Sequence, residues 1–180
     1  NLAKYLNKDF RAFDILIAEN FYNINDFNSA KTIYKKFNNY GSAFKWHANK
    51  QISRILIQEN NKEASLNLLK KVYEELPSKG IYETFDYAEF LKNNEDFETS
   101  IIYFSNILKS ITNMHPLYPE VTDSRGVAYE RIGDWNKAEK DLTASLKIDP
   151  DQAYVINYLA YSWIEQGIKI EKSLEMLKKA

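Results

Sequence analysis

Apolar residues recur three and four positions apart through long stretches of the chain, the spacing that gathers side chains on one face of an α-helix. Alternation of apolar and polar residues, which is typical of a half-buried strand, does not extend over useful lengths. The five Gly and four Pro residues fall between the apolar stretches, where turns are expected. The pattern predicts an all-α protein whose ten helices span about residues 10–23, 26–38, 44–58, 62–75, 80–92, 96–110, 118–132, 135–147, 152–166 and 170–180.

A short motif recurs along the chain: a polar residue, an aromatic or polar residue, and then a small residue that begins an apolar stripe. The five copies are Asp26-Phe27 with Ala30, Asn60-Asn61 with Ala64, Asp96-Phe97 with Ser100, Asp134-Trp135 with Ala138, and Gly167-Ile168-Lys169 with Ser173. The small residues follow one another at intervals of 34, 36, 38 and 35 positions. A nearly constant period of this size is typical of a solenoid of stacked helix pairs.

The fourth copy shows the fullest pattern, and its residues are Gly126, Val127, Ala128, Tyr129, Gly133, Asp134, Trp135, Ala138, Leu142, Ser145, Asp149 and Pro150. On this pattern the chain resembles the tetratricopeptide repeat (TPR) family over nearly all of residues 10–180. It also resembles the middle segment of large bacterial TPR proteins of poorly defined role. The resemblance implies an α-α superhelix of about five helix-turn-helix pairs. The first three copies depart from the family pattern because they lack the turn Gly and the closing Pro, and the fifth carries an extra turn residue.

The spacing divides the chain into repeats. We expect TPR-like repeats at residues 10–43, 44–78 and 79–112, TPR repeats at 119–152 and 153–180, and the tail of a preceding unit at 1–9. Pro116 and Pro119 predict an irregular joint at residues 113–118, because proline cannot continue a helix and restricts the residue before it. Both ends of the chain read as cut, so we expect it to be a segment of a longer protein.

Composition excludes several kinds of function. The 24 Lys and Arg residues are balanced by 25 Asp and Glu residues, whereas proteins that bind nucleic acid normally carry an excess of positive charge. The absence of Cys excludes disulfides, thiolate nucleophiles and Cys-based metal sites. No run approaches the roughly 18 apolar residues that a membrane span needs. The compartment stays open between cytoplasm and periplasm.

The sequence contains no catalytic signature. His47 and His115 are the only histidines, and they lie far apart in sequence in different repeats, so we expect each to be a surface or turn residue rather than a catalytic base. No Gly-rich phosphate loop, nucleophile elbow or metal-binding histidine pair is present. We therefore predict a non-catalytic protein that needs no cofactor.

The resemblance to TPR proteins implies a concave groove lined by the first helix of each pair. Projected onto this chain, the groove candidates are Ile15, Glu19, Tyr22, Asn49, Ser53, Tyr82, Phe85, Glu89, Lys92, Glu120, Asp123, Val127, Glu130, Tyr154, Asn157, Tyr161 and Ile164. This surface is aromatic and acidic. The chaperone-binding members of the family hold an acidic tail with Lys, Arg and Asn, of which this groove offers few. We therefore expect a neutral-to-basic protein or peptide segment with apolar anchors.

Two questions stay open at the level of sequence. Tyr82, Tyr154 and Tyr161 suit ligand binding and packing between repeats equally well, whereas Tyr158 favours packing. Arg125 stands where the family places a large apolar residue, so it either pairs with a carboxylate such as Asp123, Asp141 or Asp149, which we favour, or anchors an acidic partner group.

The resulting hypothesis is a protein-interaction scaffold. The alternative is a segment that assembles with itself or with the rest of its own chain, because apolar residues near both ends, Leu2, Leu174 and Leu177, would otherwise be exposed.

Overall fold

The computed structural model describes residues 11–178, which form ten α-helices, one short 3₁₀ turn and no strand. In chain order the helices are α1 (Ala12–Asn23), α2 (Phe27–Lys36), α3 (Ser42–Gln58), α4 (Lys62–Glu74), α5 (Ile81–Asn93), α6 (Phe97–Ser110), α7 (Tyr118–Arg131), α8 (Trp135–Ile148), α9 (Ala153–Glu165) and α10 (Ile170–Leu177). The all-α prediction and its ten helices are confirmed. The expected tail at residues 1–9 lies outside the described residues.

The chain divides into two compact units, which we call the N-unit (residues 1–79) and the C-unit (residues 80–180). In the N-unit, α1 packs on α2 and α3 packs on α4. In the C-unit, α5 packs on α6, α7 on α8, and α9 on α10. Consecutive helices therefore form the antiparallel pairs that the repeat period predicts. The individual repeat boundaries stay a prediction.

The turn inside each pair has the same backbone geometry in all five copies. Each turn has a residue with a left-handed φ between 58° and 81°, at Asn25, Asn60, Glu95, Gly133 and Gly167. In the first turn the N–H of Asp26 donates to the carbonyl of Phe21 at 2.8 Å, and the N–H of Asn25 donates to that of Tyr22 at 3.0 Å. Equivalent bonds close the other four turns. This arrangement is the Schellman motif, in which asparagine or, at a cost, glutamate replaces the glycine that the early copies lack.

The recurring polar residue after each turn is a helix cap. Asp26, Asn61, Asp96 and Asp134 each accept a hydrogen bond from the backbone N–H three residues later, at 3.1 to 3.4 Å. The fifth pair lacks this cap, because its extra residue places Lys169 in the cap position with φ 47°, and the Lys169 side chain does not cap the helix. The motif therefore marks where each second helix begins.

Small buried residues mark where the paired helices meet. On the second helices they are Ala30, Ser65, Ser100, Ala138 and Ser173, all fully buried. The prediction of Ala64 for this position is wrong by one residue. Ser65 occupies it, and its hydroxyl donates to the carbonyl of Ser53 across the pair at 2.8 Å. The corrected intervals are 35, 35, 38 and 35 residues.

The first helices contribute a matching series of small residues to the same contacts: Ala18, Ser53, Ala88, Gly126 and Ala160. The helices approach closely at Gly126, where a Cβ atom would stand 2.9 Å from Cγ of Leu142. Real Cβ atoms do not come this close, so α7 and α8 can pack in this way only with glycine at position 126.

The longest interval between small residues, from Ser100 to Ala138, contains two prolines. Helix α6 ends at Ser110, and Ile111 is extended with φ −121° and ψ 158°. Turns follow until α7 begins at Tyr118, with Pro119 in its first turn. Inside this joint the N–H of Leu117 donates to Nδ1 of His115 at 3.2 Å, so His115 has a structural role in a turn. The chain between Ser110 and Tyr118 is therefore not helical.

Candidate functional site

The groove candidates of α1 are engaged in contacts within the N-unit. Tyr34, which is buried, donates a hydrogen bond from its hydroxyl to Glu19 at 2.8 Å. Burial and this contact with Glu19 raise the pKa of Tyr34. The guanidinium of Arg54 lies 4.9 Å from the ring centre of Tyr22, within the range of a cation–π contact. Glu19 and Tyr22 therefore already have partners in their own unit.

The α3 candidates are inaccessible, which corrects the expectation that they face a partner. Asn49 is 4% exposed, and its amide donates to Oδ1 of Asn38 and to the carbonyl of Lys45, both at 2.7 Å. Ser53 is fully buried at the small-residue position described above. Buried polar groups need internal partners, and both residues have them. Neither residue belongs to an exposed surface.

In the C-unit, one stripe of residues runs along each first helix. The stripes are Tyr82, Phe85, Glu89 and Lys92 on α5, Glu120, Asp123, Val127 and Glu130 on α7, and Tyr154, Asn157, Tyr161 and Glu165 on α9. Residues three, four and seven positions apart share one side of a helix, so each stripe is a single face. We call the surface that these stripes form the first-helix face.

Helix α9 contributes two exposed aromatic residues to this face. Tyr154 is 60% exposed and Tyr161 is 58% exposed. On the opposite side of α9, Val155, Leu159 and Trp163 are buried in the core of the C-unit. The exposed tyrosines are therefore not the residues that hold α9 in place.

Tyr158 connects α9 to α7. Its hydroxyl donates to Oε2 of Glu130 at 2.6 Å, and burial together with this contact raises the pKa of the phenol. The ring of Tyr154 lies 5.9 Å from that of Tyr158. Arg131 approaches Oε2 of Glu130 at 3.7 Å, and its side chain is 55% exposed. Tyr158 thus holds the Glu130 carboxylate at the edge of the exposed tyrosines.

Two adjacent cavities open on the first-helix face. The tyrosine cavity has a volume of about 360 Å³ and is lined by Glu130, Arg131, Tyr154, Asn157, Tyr158 and Tyr161, with Ser162 and Glu165 at its border. The lysine cavity has a volume of about 620 Å³ and is lined by Lys92, Asn93, Glu95, Phe97, Val127, Arg131 and Tyr154. Arg131 and Tyr154 line both cavities, so the two cavities lie side by side, and we call them together the depression.

Charged residues surround this depression. Nζ of Lys92 lies 2.8 Å from a Glu89 carboxylate oxygen and donates to the hydroxyl of Ser124 at 3.0 Å. Burial raises the pKa of the Asp123 carboxyl to about 6, although the nearby Lys92 ammonium opposes the rise. Burial and the Asp123 carboxylate also raise the pKa of Tyr154. Asp123 and Tyr154 are thus close enough to influence each other.

The other α5 and α7 candidates differ in accessibility. Tyr82 is 61% exposed, and its ring lies 6.5 Å from that of His115. Phe85 packs against the core, with its ring 6.1 Å from that of Phe104, and Val127 is buried. Phe85 and Val127 therefore support the face from below, and Tyr82 can reach a partner.

Arg125 is paired inside the C-unit. Its Nε and Nη2 atoms donate to the two carboxylate oxygens of Asp141 at 2.6 and 2.9 Å, and Nη1 donates to Ser105 at 3.0 Å. This confirms the favoured interpretation of a carboxylate partner, and Asp141 is the residue that provides it.

Seven residues that line the two cavities were not among the groove candidates: Asn93, Glu95, Phe97, Arg131, Tyr158, Ser162 and Glu165. Glu165 follows Tyr161 by four positions, so extending the α9 stripe by one turn would have found it. Arg131 lies one position beyond the α7 stripe, and its place between two cavities depends on how α7 packs against its neighbours. Helical spacing gives no signal for that placement.

Within residues 11–178, no group of three or more acidic or histidine side chains is placed to hold a metal ion. None of the helices described here is long and apolar enough to cross a bilayer.

Comparison with known proteins identifies a fold. No family model matches the chain, and no curated protein sequence matches it significantly. Solved structures of MamA, a TPR-like helical repeat protein, do match. "MamA 41-end from Desulfovibrio magneticus RS-1" has a TM-score of 0.70 at 11% identity, over 95% of this chain and 93% of that one. "MamA RS-1 ArsTM double mutant" has a TM-score of 0.70 at 12% identity, over 95% and 92% of the two chains. "Crystal structure of MamA" has a TM-score of 0.66 at 14% identity, over 91% of each. The chain therefore shares the TPR-like helical repeat fold of MamA.

Proposed function

We propose that the chain is a non-catalytic protein-interaction scaffold that binds a peptide or protein segment on the first-helix face of the C-unit. The observation that carries the proposal is the exposure of Tyr154 and Tyr161 beside the tyrosine cavity. Exposed aromatic side chains next to a depression are typical of binding surfaces, because tyrosine supplies a large contact area at a small cost in conformational entropy.

The charges of this face favour a neutral-to-basic partner segment. The acidic residues of its three stripes are Glu89, Glu120, Asp123, Glu130 and Glu165. The basic residues are Lys92 and, at the cavity wall, Arg131. Because complementary charge steers association and disfavours partners of like charge, an acidic peptide or a nucleic acid would be repelled.

The side chains beneath the face support a preorganised surface. Phe85 and Val127 pack into the core, and the Tyr158–Glu130 hydrogen bond fixes one wall of the tyrosine cavity. A surface held by packed helices loses little conformational freedom on binding, so more of the contact energy remains as affinity.

The test is affinity capture with variants that leave the core intact. Wild-type protein, the double variant Tyr154→Ala and Tyr161→Ala, and the control Ile102→Ala are each used to capture proteins from the source cells. Ile102 is 59% exposed on α6, a second helix, so its truncation should be equally harmless to folding. We expect one or more proteins to be retained by wild type and by the control but lost by the double variant. The same captured set on all three proteins, with equal melting temperatures, would refute the proposal.

A second candidate function is self-association, and the surface of α10 favours it. Ile170 and Leu174 are about half exposed on this helix. A second copy of the chain could cover them. Light scattering of the wild type and of Leu174→Lys tests this: a concentration-dependent increase in mass that the variant abolishes supports self-association, and a monomer at all concentrations excludes it.

A further inference from the structure

We infer that the tyrosine cavity receives the positively charged side chain of a lysine or arginine on the bound segment, between the Glu130 carboxylate and the rings of Tyr154 and Tyr161. This inference rests on the proposed function and specifies the chemistry of its partner.

The Glu130 carboxylate is positioned but not saturated. Both of its contacts, from the Tyr158 hydroxyl at 2.6 Å and from Arg131 at 3.7 Å, are made by Oε2. A carboxylate accepts about four hydrogen bonds, so Oε1 remains available to a further donor. Arg131 is too distant and too exposed to neutralise Glu130 effectively, because exposed ion pairs are weak. The cavity therefore keeps an accessible negative charge that Tyr158 holds in one place.

The exposed tyrosine rings suit the rest of such a side chain. A cation within about 6 Å of an aromatic ring centre is attracted to the ring face, and the apolar stem of lysine or arginine packs on the same surface. The chain already uses this contact internally, with Arg54 at 4.9 Å from the Tyr22 ring centre and Lys169 at 4.4 Å from that of Trp163. Within residues 11–178, no lysine or arginine side chain lies over Tyr154 or Tyr161. These two rings are open to a cation from outside.

The size and charge of the cavity select the cationic side chain over the alternatives. A volume of about 360 Å³ accommodates one long side chain. Glu130 and Glu165 give its lining one more negative charge than the single Arg131 balances. An acidic side chain would meet two carboxylates and one loosely held arginine. A purely apolar side chain would cover Glu130 without giving it a partner, which disfavours binding.

Displayed random peptides provide the test, because they need no known partner. Peptides are selected on wild-type protein, sequenced and resynthesised, and their affinities are measured by calorimetry. We expect lysine or arginine to be enriched at one position, and replacement of that arginine by citrulline, its neutral isostere, to weaken binding about tenfold. Glu130→Gln should weaken the original peptide by a similar factor and the citrulline peptide much less. Glutamine keeps an acceptor for the Tyr158 hydroxyl, so the fold is preserved.

The matched control is Glu98→Gln, which removes one exposed carboxylate from α6 and should leave affinity unchanged. Peptides that need Tyr154 and Tyr161 but carry no cation, or carry an acidic residue instead, would overturn this inference and leave the proposed function standing. Failure to select any peptide, or selection of peptides that bind the Tyr154→Ala and Tyr161→Ala double variant equally well, would overturn both.

Discussion

Arg125 of α7 and Asp141 of α8 form a two-bond ion pair between these two packed helices, with nitrogen–oxygen distances of 2.6 and 2.9 Å. The Asp141 side chain is almost completely buried, and a third bond joins Arg125 to Ser105 on α6. One charged residue therefore links three helices at a position where TPR proteins usually have an apolar side chain. The pair keeps Arg125 away from any partner.

We predict that Asp141→Ala lowers the free energy of unfolding by about 3 kcal/mol, because it leaves the Arg125 guanidinium partly buried without its carboxylate. Urea denaturation followed by circular dichroism measures the loss. The double variant Arg125→Met and Asp141→Leu should recover most of the stability, since it removes both charges and fills the space. A loss of less than about 0.5 kcal/mol in Asp141→Ala would show that the pair contributes no more than an exposed ion pair does.

Gly126→Ala should destabilise the protein by about 1–3 kcal/mol, because the new methyl group would stand 2.9 Å from the buried Leu142 side chain. The sign of this change in stability is informative, since glycine-to-alanine replacement inside an uncrowded helix stabilises a protein by about 1 kcal/mol. The effect of Gly126→Ala on the free energy of unfolding should be smaller in a Leu142→Ala background, because alanine at 142 leaves room for the methyl group. The difference between the two backgrounds measures the cost of the steric clash. A gain in stability in the wild-type background would refute the close packing of α7 and α8.

Glu95→Gly should stabilise the protein by about 1 kcal/mol, because Glu95 has φ 70° and a Cβ atom is disfavoured in that conformation. Gly133→Ala, at the equivalent turn with φ 81°, should cost a similar amount. Thermal melts of both variants test the left-handed geometry that the five turns share. Equal melting temperatures for wild type and both variants would contradict it.

The raised pKa of Asp123, about 6, predicts a pH-dependent contribution to stability. In the unfolded chain the carboxyl loses its proton near pH 4, whereas in the folded protein it keeps the proton until about pH 6. The folded state therefore binds more protons between these values, and this contribution to stability falls as the pH rises through that window. Asp123→Asn should raise the free energy of unfolding by about 1–2 kcal/mol at neutral pH and by almost nothing below pH 4. An increase in the free energy of unfolding that is the same at every pH would argue against the titration of Asp123.

Much of the fold is encoded locally and could be predicted from the sequence. The three-and-four spacing identified ten helices, and the recurring Asp26, Asp96 and Asp134 marked the start of second helices, where the structure shows them as caps. In the second copy, the sequence pattern places the small buried residue at Ala64, one position before Ser65, which occupies it. Asn60 and Asn61 look alike in sequence, but Asn60 adopts the left-handed turn conformation and Asn61 is the cap.

The site was predicted less completely, because its geometry depends on contacts between helices. Helical spacing placed Tyr154, Asn157 and Tyr161 on one stripe. Spacing could not show that Tyr158 reaches across to Glu130, that Asn49 is buried by contacts with Asn38 and Lys45, or that Arg131 borders two cavities. Each of these facts depends on a neighbouring helix or turn, whose position is set by packing rather than by the periodicity of one segment.

The most direct test of the central claim, that the first-helix face binds a protein segment, is site-specific photo-crosslinking in the protein's own cells. A benzophenone amino acid is introduced at position 161 of the full-length chain, on the exposed α9 stripe, and at position 102 on α6 as the control. Both positions have similar exposure, so both should tolerate the probe. We expect defined crosslinks from position 161 to a segment of a partner protein and none of these from position 102. The same products from both positions, or none from position 161, would contradict it.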